Sequence, residues 1–360
     1  MLVSLSDPVI NNRVSQLVTL PGEAYIRTAP HRIYYCDQQT QKNYAKYYRQ
    51  TSAEIASQSL YLLDNVIVRG KGIITVDGNI VEQNIEGAPV AQIEQSLNSE
   101  PLPSKSIAEP ALYLTRYGIL NYGHYLTDIA PRLYWFRQLF PDIKIVIHPQ
   151  TPKTILKLLT FLGFDEQKYL TIGDEPVLFH QLYFIDLWNK HPLVHSEKIF
   201  AFLDEVKKNV LTSANYNKSF VRKTFFKKET WPTKIFVSRK DASTRQIVNH
   251  DEVYRFLKKQ GFVEISCGAL SIEDQIKYFS AAESIIGISG AAMTNMVFSN
   301  PGAKVINLSS STMPSLYFWD LAHHKKLSYS IAYFESSNNR NPKMFSDFNV
   351  DLEVLDALLQ

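Results

Sequence analysis

From residue 234 onward the chain alternates strand-like and helix-like segments with a regularity that leaves few folds open. "KIFVS" (234–238) reads as a buried strand, "NHDEVYRFLKKQ" as an amphipathic helix stopped by Gly261, and "FVEIS" as a second strand. "SIEDQIKYFSAAE" opens at Ser271 with Asp274 three residues on, close to a capping box, and runs into the strand "SIIGI". After "SGAAMTN", Pro301-Gly302 precede one more strand, "KVINL". Parallel neighbours need crossover connections, so this βαβαβ order predicts a parallel sheet with helices on both faces, a Rossmann-like half.

The preceding chain has two textures. Residues 1 to about 110 alternate short apolar runs with turn residues, and in "SLYLLDNVIVRGKGIITVDGNIVEQ" the Asp77-Gly78 dipeptide separates strand-like segments as a hairpin turn does. This part reads as β-rich. Residues 111–190 mix the strands "LYLT", "IKIVIH" and "QLYFID" with the helix-spaced "PKTILKLLTFLGF", as in a layered α/β unit. A chain of 360 residues with 45% hydrophobic content exceeds what one compact core usually holds. The expected division is therefore 1–110 and 111–190 for a first domain, a linker at 191–233, a second domain at 234–335, and a terminal helix within 336–360.

A formal net charge of +3, with 20% charged residues, supplies no field that argues for nucleic acid. Cys36 and Cys267 are the only cysteines, too few for a disulfide framework or a thiolate zinc site, and a reducing compartment fits. The amino terminus lacks a basic region followed by an apolar run, and no stretch of about 18 uninterrupted apolar residues occurs. A soluble, cytoplasmic protein is expected.

In an open parallel sheet, ligands bind beyond the carboxyl ends of the strands, so the loops after "KIFVS" and "SIIGI" are the places to look. The first, "RKDASTR", carries Arg239, Lys240 and Arg245, whose cations suit phosphate oxygens; an ordinary basic surface loop is the plainer alternative. The second, "GISGAAMTN", gathers Gly287, Gly290, Ala291 and Ala292 at a strand-to-helix turn, small enough for backbone to approach a ligand and for helix-start amides to meet an anion. Thr294 and Asn295 add side-chain hydrogen bonds. Tight helix–strand packing also uses such residues, but two such loops on one sheet edge favour a diphosphate site. Neither G-x-G-x-x-G after a strand nor G-x-x-x-x-G-K-[ST] is present, which leaves a nucleoside diphosphate attached to another group.

"NYGHYLTDIAPR" (121–132) carries His124, Asp128 and Arg132 at intervals of four. As one helix over 121–140, Leu126, Ile129, Leu133, Phe136 and Phe140 form the buried stripe, and His124 and Asp128 fall away from it. Pro131 cannot donate to the Thr127 carbonyl, so it kinks or starts the helix and leaves polar backbone beside both residues. In the plainer reading Asp128 pairs with Arg132 while His124 caps the helix. In the other, a carboxylate or imidazole facing the diphosphate across a cleft takes a proton from an incoming hydroxyl. That hydroxyl attacks the anomeric carbon of a sugar with inversion, and cationic and backbone donors stabilise the departing diphosphate. The chain contains no Asp-x-Asp, so no metal is expected.

"NYGHYLTD", "IFVSRKDASTRQIVNHDEV", "SIEDQIKYFSAAE" and "GISGAAMTNMVF" occur in the order and at the approximate spacing of family 61 glycosyltransferases, which the chain resembles over about residues 110 to 310. That family includes bacterial polysaccharide enzymes as well as eukaryotic xylosyl- and N-acetylglucosaminyltransferases. The resemblance implies a GT-B architecture, α/β with two Rossmann-like domains facing a cleft, here with a β-rich N-terminal region. Residues 111–190 would form the acceptor side and 234–335 the nucleotide-sugar-binding domain. It further implies inverting, metal-independent transfer from a UDP-sugar to a hydroxyl of a glycan or lipid-linked glycan acceptor, in capsule, lipopolysaccharide or other surface polysaccharide synthesis. By position, Asn121, His124 and Asp128 match the family's Asn-x-x-His-x-x-x-acidic element, Arg239 and Arg245 its basic loop, and Gly290, Ala291, Thr294 and Asn295 its small-residue turn. Lys240 and Ala292 complete the expected substrate-binding set, together with Ser289, which stands where the family usually has His and brings no imidazolium charge. Asp128 is the expected base with His124 orienting it or the acceptor; the reverse assignment stays open.

Two other functions fit the loops: a UDP-sugar epimerase, which needs no acceptor, and a scaffold that binds UDP without turnover. "RKTFFKKETW" (222–231) interleaves cations with aromatics; a solvated hinge loop is the plainer reading, and peripheral contact with anionic lipid at the inner face of the membrane is the alternative.

Overall fold

A computed structural model describes residues 1–69, 72–85, 90–97, 102–115, 121–186, 189–190, 194–221, 231–313, 316–338 and 343–360. The basic, aromatic segment therefore lies outside the described residues except for Trp231. The chain divides into two compact units, one made of Met1–Glu23 and Ile55–Lys190, the other of Ala24–Glu54 and His191–Gln360.

The first unit is built on a ten-stranded mixed sheet. Its long strand Gln58–Arg69 pairs antiparallel with Val14–Leu20, Ile73–Val76 and Val177–Ile185. Val177–Ile185 leads into a parallel run of Ala111–Tyr113, Lys144–Ile147 and Tyr169–Thr171. Asp77 and Gly78, at φ 46° and 78°, join Ile73–Val76 to Asn79–Val81 as the two-residue hairpin turn read from the sequence.

Residues 122–139 are one helical run with a defect in it. Tyr122–His124 is α-helical, Tyr125–Ile129 widens into a π-turn in which the Ala130 N–H donates to the Tyr125 carbonyl, and Ala130–Leu139 resumes the α form. Pro131 explains the defect: it has no N–H to give the Thr127 carbonyl, and a wider turn accommodates the ring without ending the helix. The spacing predicts Asp128 off the apolar stripe. Instead Thr127, Asp128 and Arg132 are buried along with Leu126, Ile129 and Leu133, because the π-turn breaks the 3.6-residue period on which the stripe was drawn.

The second unit holds a six-stranded, wholly parallel sheet in the order Val263–Ile265, Lys234–Val237, Ser284–Ile288, Lys304–Ser310, Ser328–Phe334, Arg32–Tyr35. Counted along the chain from Lys234, the first five strands run 2-1-3-4-5, the doubly wound order whose ligand crevice opens between strands 1 and 3. Local signals act as expected: Ser271 Oγ accepts from Asp274 N at 3.1 Å, and Gly261 ends the helix His250–Lys259 at φ 86°. The sixth strand comes from residues 24–54. Their sequence groups them with the β-rich first domain, but Arg32–Tyr35 pairs parallel with Ser328–Phe334 and brings the helix Gln38–Arg49 into the second unit. Within the expected linker, where "NKHPLVHSEKIFAFLDEVKKNVL" reads as helical, Lys198–Val221 forms a 24-residue helix. Among the described residues no helix is long and apolar enough to cross a membrane.

A buried carboxylate ties 24–54 into this unit. Asp320 accepts from His195 N, His195 Nδ1 and the Tyr25 hydroxyl, each at 2.8 Å, with Arg27 Nε at 3.7 Å. Burial opposes its ionisation, but the hydrogen bond and attraction of His195, helped by His324 and Tyr25, prevail and hold the carboxyl below its ordinary range. His324 stacks on Phe200 at 4.7 Å and is pushed down to about 4, chiefly by burial. Between that value and the 6.5 of an unfolded histidine, the unfolded chain binds the extra proton. Stability is therefore full above pH 6.5 and falls towards pH 4, by on the order of 3 kcal/mol from this residue. His324→Phe should keep the stacking and narrow the gap between melting temperatures at pH 7 and pH 4.5; an unchanged gap would exclude His324 as its source.

Candidate functional site

In the first unit, the N-terminus of the π-containing helix forms a compact polar centre. Asn121 Oδ1 accepts from Gly123 N at 3.0 Å and His124 N at 3.4 Å, so Asn121 is the helix cap and His124 is not. His124 Nδ1 lies 3.0 Å from Asp128 Oδ2, and the Thr127 hydroxyl lies 2.7 Å from Asp128 Oδ1. The Asp128 side chain is fully buried, whereas His124 is 28% exposed. An ionised carboxylate only accepts, so an ionised Asp128 facing a neutral ring would set the tautomer that carries its proton on Nδ1. Arg132 donates from Nη1 to the Ile185 carbonyl at 2.8 Å, with its guanidinium 5.9 Å from the Phe184 ring, which pins the helix to the carboxyl end of Val177–Ile185.

Two groups passed over in the sequence lie at carboxyl ends of parallel strands in the same sheet. His148, after Lys144–Ile147, is buried, accepts from Gln150 N at 3.1 Å and faces Asp174 at 3.5 Å. Asp186, after Val177–Ile185, accepts from Ser59 N at 3.0 Å and is pushed up to about 6, chiefly by burial. Strand-end position was the available signal for both.

In the second unit, the loops after Lys234–Val237 and Ser284–Ile288 meet at the switch point of the sheet. A Cβ on Gly290 would overlap Arg239 Nη1, so the absent side chain is what lets the guanidinium lie against this turn. From Nε and Nη2, Arg239 reaches the Thr244 carbonyl only at 3.4 Å each. Arg245 stands in the left-handed region at φ 57°, a conformation that costs a non-glycine residue about 1 kcal/mol or more. Its Nη1 is 3.2 Å from Met313 Sδ, and its buried Nε has no hydrogen-bond partner among the described residues. Burial, then repulsion from Arg239, pushes Arg245 down to about 10, and burial also lowers Arg239 against the attraction of Asp241. Neither forms an ion pair with a carboxylate among the described residues.

The turn itself continues as a 3-10 helix, Ala291–Phe298, with no side-chain cap, so the amides of Ala291 and Ala292 point beyond its start. The other expected ligand-binding residues have different surroundings. Lys240 Nζ lies 3.5 Å from Glu264 Oε2 and 3.9 Å from Asp251 Oδ1. Asn295 is buried and donates to Gln275 Oε1 at 2.7 Å, fastening the 3-10 helix to Ile272–Ala281. The buried Thr294 hydroxyl has no hydrogen-bond partner among the described residues. Gly287 serves packing, since a Cβ there would overlap Met293 Sδ and come within 3.0 Å of Val237 Cβ.

The family model Glycosyltransferase 61 matches residues 122–306, just over half of the chain. The chain belongs to glycosyltransferase family 61. No curated protein matches it. The matched span of this family 61 glycosyltransferase includes His124, Asp128 and both loops of the switch point; Asn121 lies one residue before it. Ser289, expected among the substrate-binding residues, is buried and donates from Oγ to Asn307 Oδ1 at 3.0 Å, while Asn307 donates to the Tyr329 hydroxyl at 3.0 Å. Gly290→Ala should push Arg239 out of its place, and if this turn is an anion site, UDP affinity should fall by about tenfold, the effect of breaking one charge-assisted hydrogen bond. Because the overlap is with the tip of a flexible side chain, the melting temperature should hardly move; unaltered UDP affinity would separate Gly290 from any anion site.

Proposed function

We propose that this glycosyltransferase moves a sugar from a UDP-sugar to a hydroxyl of a glycan or lipid-linked glycan acceptor, with inversion and without a metal, in surface polysaccharide synthesis on the cytoplasmic side. The observation that carries the reading is the 3.0 Å pairing of His124 with a fully buried Asp128. The sequence favours Asp128 as the base, a carboxylate in a cleft being a common proton acceptor, and leaves the reverse open; the burial order supports the reverse, with His124 outermost and the carboxylate behind it. His124 Nε2 takes the acceptor proton as the acceptor oxygen bonds to the anomeric carbon and the bond from that carbon to the diphosphate breaks. Asp128 holds the Nδ1 tautomer and stabilises the imidazolium, while Thr127 steadies the carboxylate.

On the donor side the leaving group is a diphosphate, whose growing negative charge has to be met. Arg239 and Arg245, desolvated and without carboxylate partners among the described residues, are suited to that task, with the amides of Ala291 and Ala292 beside them. Two fixed guanidiniums would then supply the positive charge that a divalent ion supplies in other transferases. The GT-B arrangement of two Rossmann-like domains is part of the same proposal, supported by the doubly wound strand order of the second unit.

The test is acceptor-dependent UDP release over a panel of UDP-sugars. His124→Gln should lower kcat by about a hundredfold or more while leaving UDP affinity intact. Asp128→Asn should also lower kcat but retain more turnover than His124→Gln. The opposite ranking would make Asp128 the base, UDP-sugar conversion without acceptor would indicate epimerisation, and UDP binding without release would indicate a scaffold.

A further inference from the structure

The same sheet edge carries a pocket that extends from Arg239 to the start of the next helix. Arg239, Lys240, Gln246, Ile247, His250 and Ile288 line an open pocket of about 130 Å³. Sites enclosing a whole drug-sized ligand start at roughly 300 Å³, so this one suits a single ring of the donor. His250, the first residue of the helix His250–Lys259, is 12% exposed, with its ring 5.6 Å from that of Phe236. Its Nε2 is 2.9 Å from Glu264 Oε1 and its Nδ1 is 3.5 Å from Asp251 Oδ1, and among the described residues neither nitrogen nor Glu264 Oε1 makes a hydrogen bond. The other oxygen of Glu264 faces Lys240 Nζ at 3.5 Å.

Buried polar atoms in proteins nearly always find partners; Nε2 is set against Glu264 Oε1, which leaves Nδ1 of a pocket-lining ring as the nitrogen that a ligand hydroxyl can meet. An imidazole backed by a carboxylate offers donor and acceptor capacity together, which is what a sugar hydroxyl requires, since it donates one proton and accepts on its lone pairs. Glu264 also lies in the second strand of the first βαβ unit, paired in parallel with Lys234–Val237, so it flanks the loop that carries Arg239. We propose that His250 reads a ribose hydroxyl of the donor nucleotide, with Glu264 as the positioning residue that holds the ring. The proposal rests on the Arg239–Gly290 edge being the diphosphate site, because it sets the ribose next to it.

Calorimetric titration of the full chain with UDP, 2′-deoxy-UDP and 3′-deoxy-UDP tests it. The wild-type protein should prefer UDP over at least one deoxy analogue by about five- to tenfold, the effect of one hydrogen bond. His250→Phe should bring UDP down to the affinity of that analogue without changing the analogue's own affinity, and His250→Gln, which still donates and accepts, should keep part of the preference. If His250→Phe does not fold, Glu264→Gln carries the test and should reduce the preference while leaving the analogue unaffected. A wild-type protein that binds UDP but does not discriminate, or variants that discriminate fully, would overturn the ribose assignment alone. Failure of the wild-type protein to bind UDP at all would overturn the diphosphate reading and this one with it.

Discussion

A guanidinium removed from water without a counter-ion is costly, and the carboxyl edge of the second unit keeps two that pair with no carboxylate among the described residues. Arg239 and Arg245 are both desolvated, they repel each other, and Arg245 is held in a left-handed backbone conformation as well. A protein tolerates such an arrangement where surrounding structure enforces it. Here the enforcement comes from the parallel sheet, whose 2-1-3-4-5 order brings the loops after its first and third strands side by side, and from Gly290, whose missing side chain leaves room for Arg239. The ligand-facing chemistry proposed for this unit, including the pocket at His250, follows from that edge.

The first unit handles its polar groups differently. There a single residue without an N–H, Pro131, widens one helical turn, and the widened turn spans the residues from Tyr125 to Ile129. Thr127 and Asp128 are turned inward beneath His124, so a carboxylate that would otherwise have faced solvent becomes the buried partner of a partly exposed imidazole. Burial keeps that carboxylate committed to the ring, and it sorts the two candidate bases into an outer and an inner group.

Much of the second unit was legible in the sequence because its signals are local. Gly261, Ser271 and the run of short apolar segments each act over a few residues, and each does in the fold what its chemistry predicts. Asp77-Gly78 is of the same kind. The strand Arg32–Tyr35 was not legible as part of that unit: its four residues carry no mark of a partner that lies near residue 330, and long-range pairing is decided by which edge is available. Among the site residues, Lys240, Ser289 and Asn295 suit a ligand by type, but their polar groups meet Glu264, Asn307 and Gln275 in the fold. His250 and Glu264 have the converse history, lying in segments that read as an ordinary helix start and an ordinary strand.

The sequence alone determined the alternation that makes a parallel sheet, the positions of its loops at the carboxyl ends of strands, and the family motifs along them, since all of these depend on residue order and local backbone preference. Tertiary structure alone decided which of the described polar side chains stand without protein partners and which of His124 and Asp128 is exposed. Those outcomes depend on burial and on neighbours brought together from distant parts of the chain, and no local pattern encodes them.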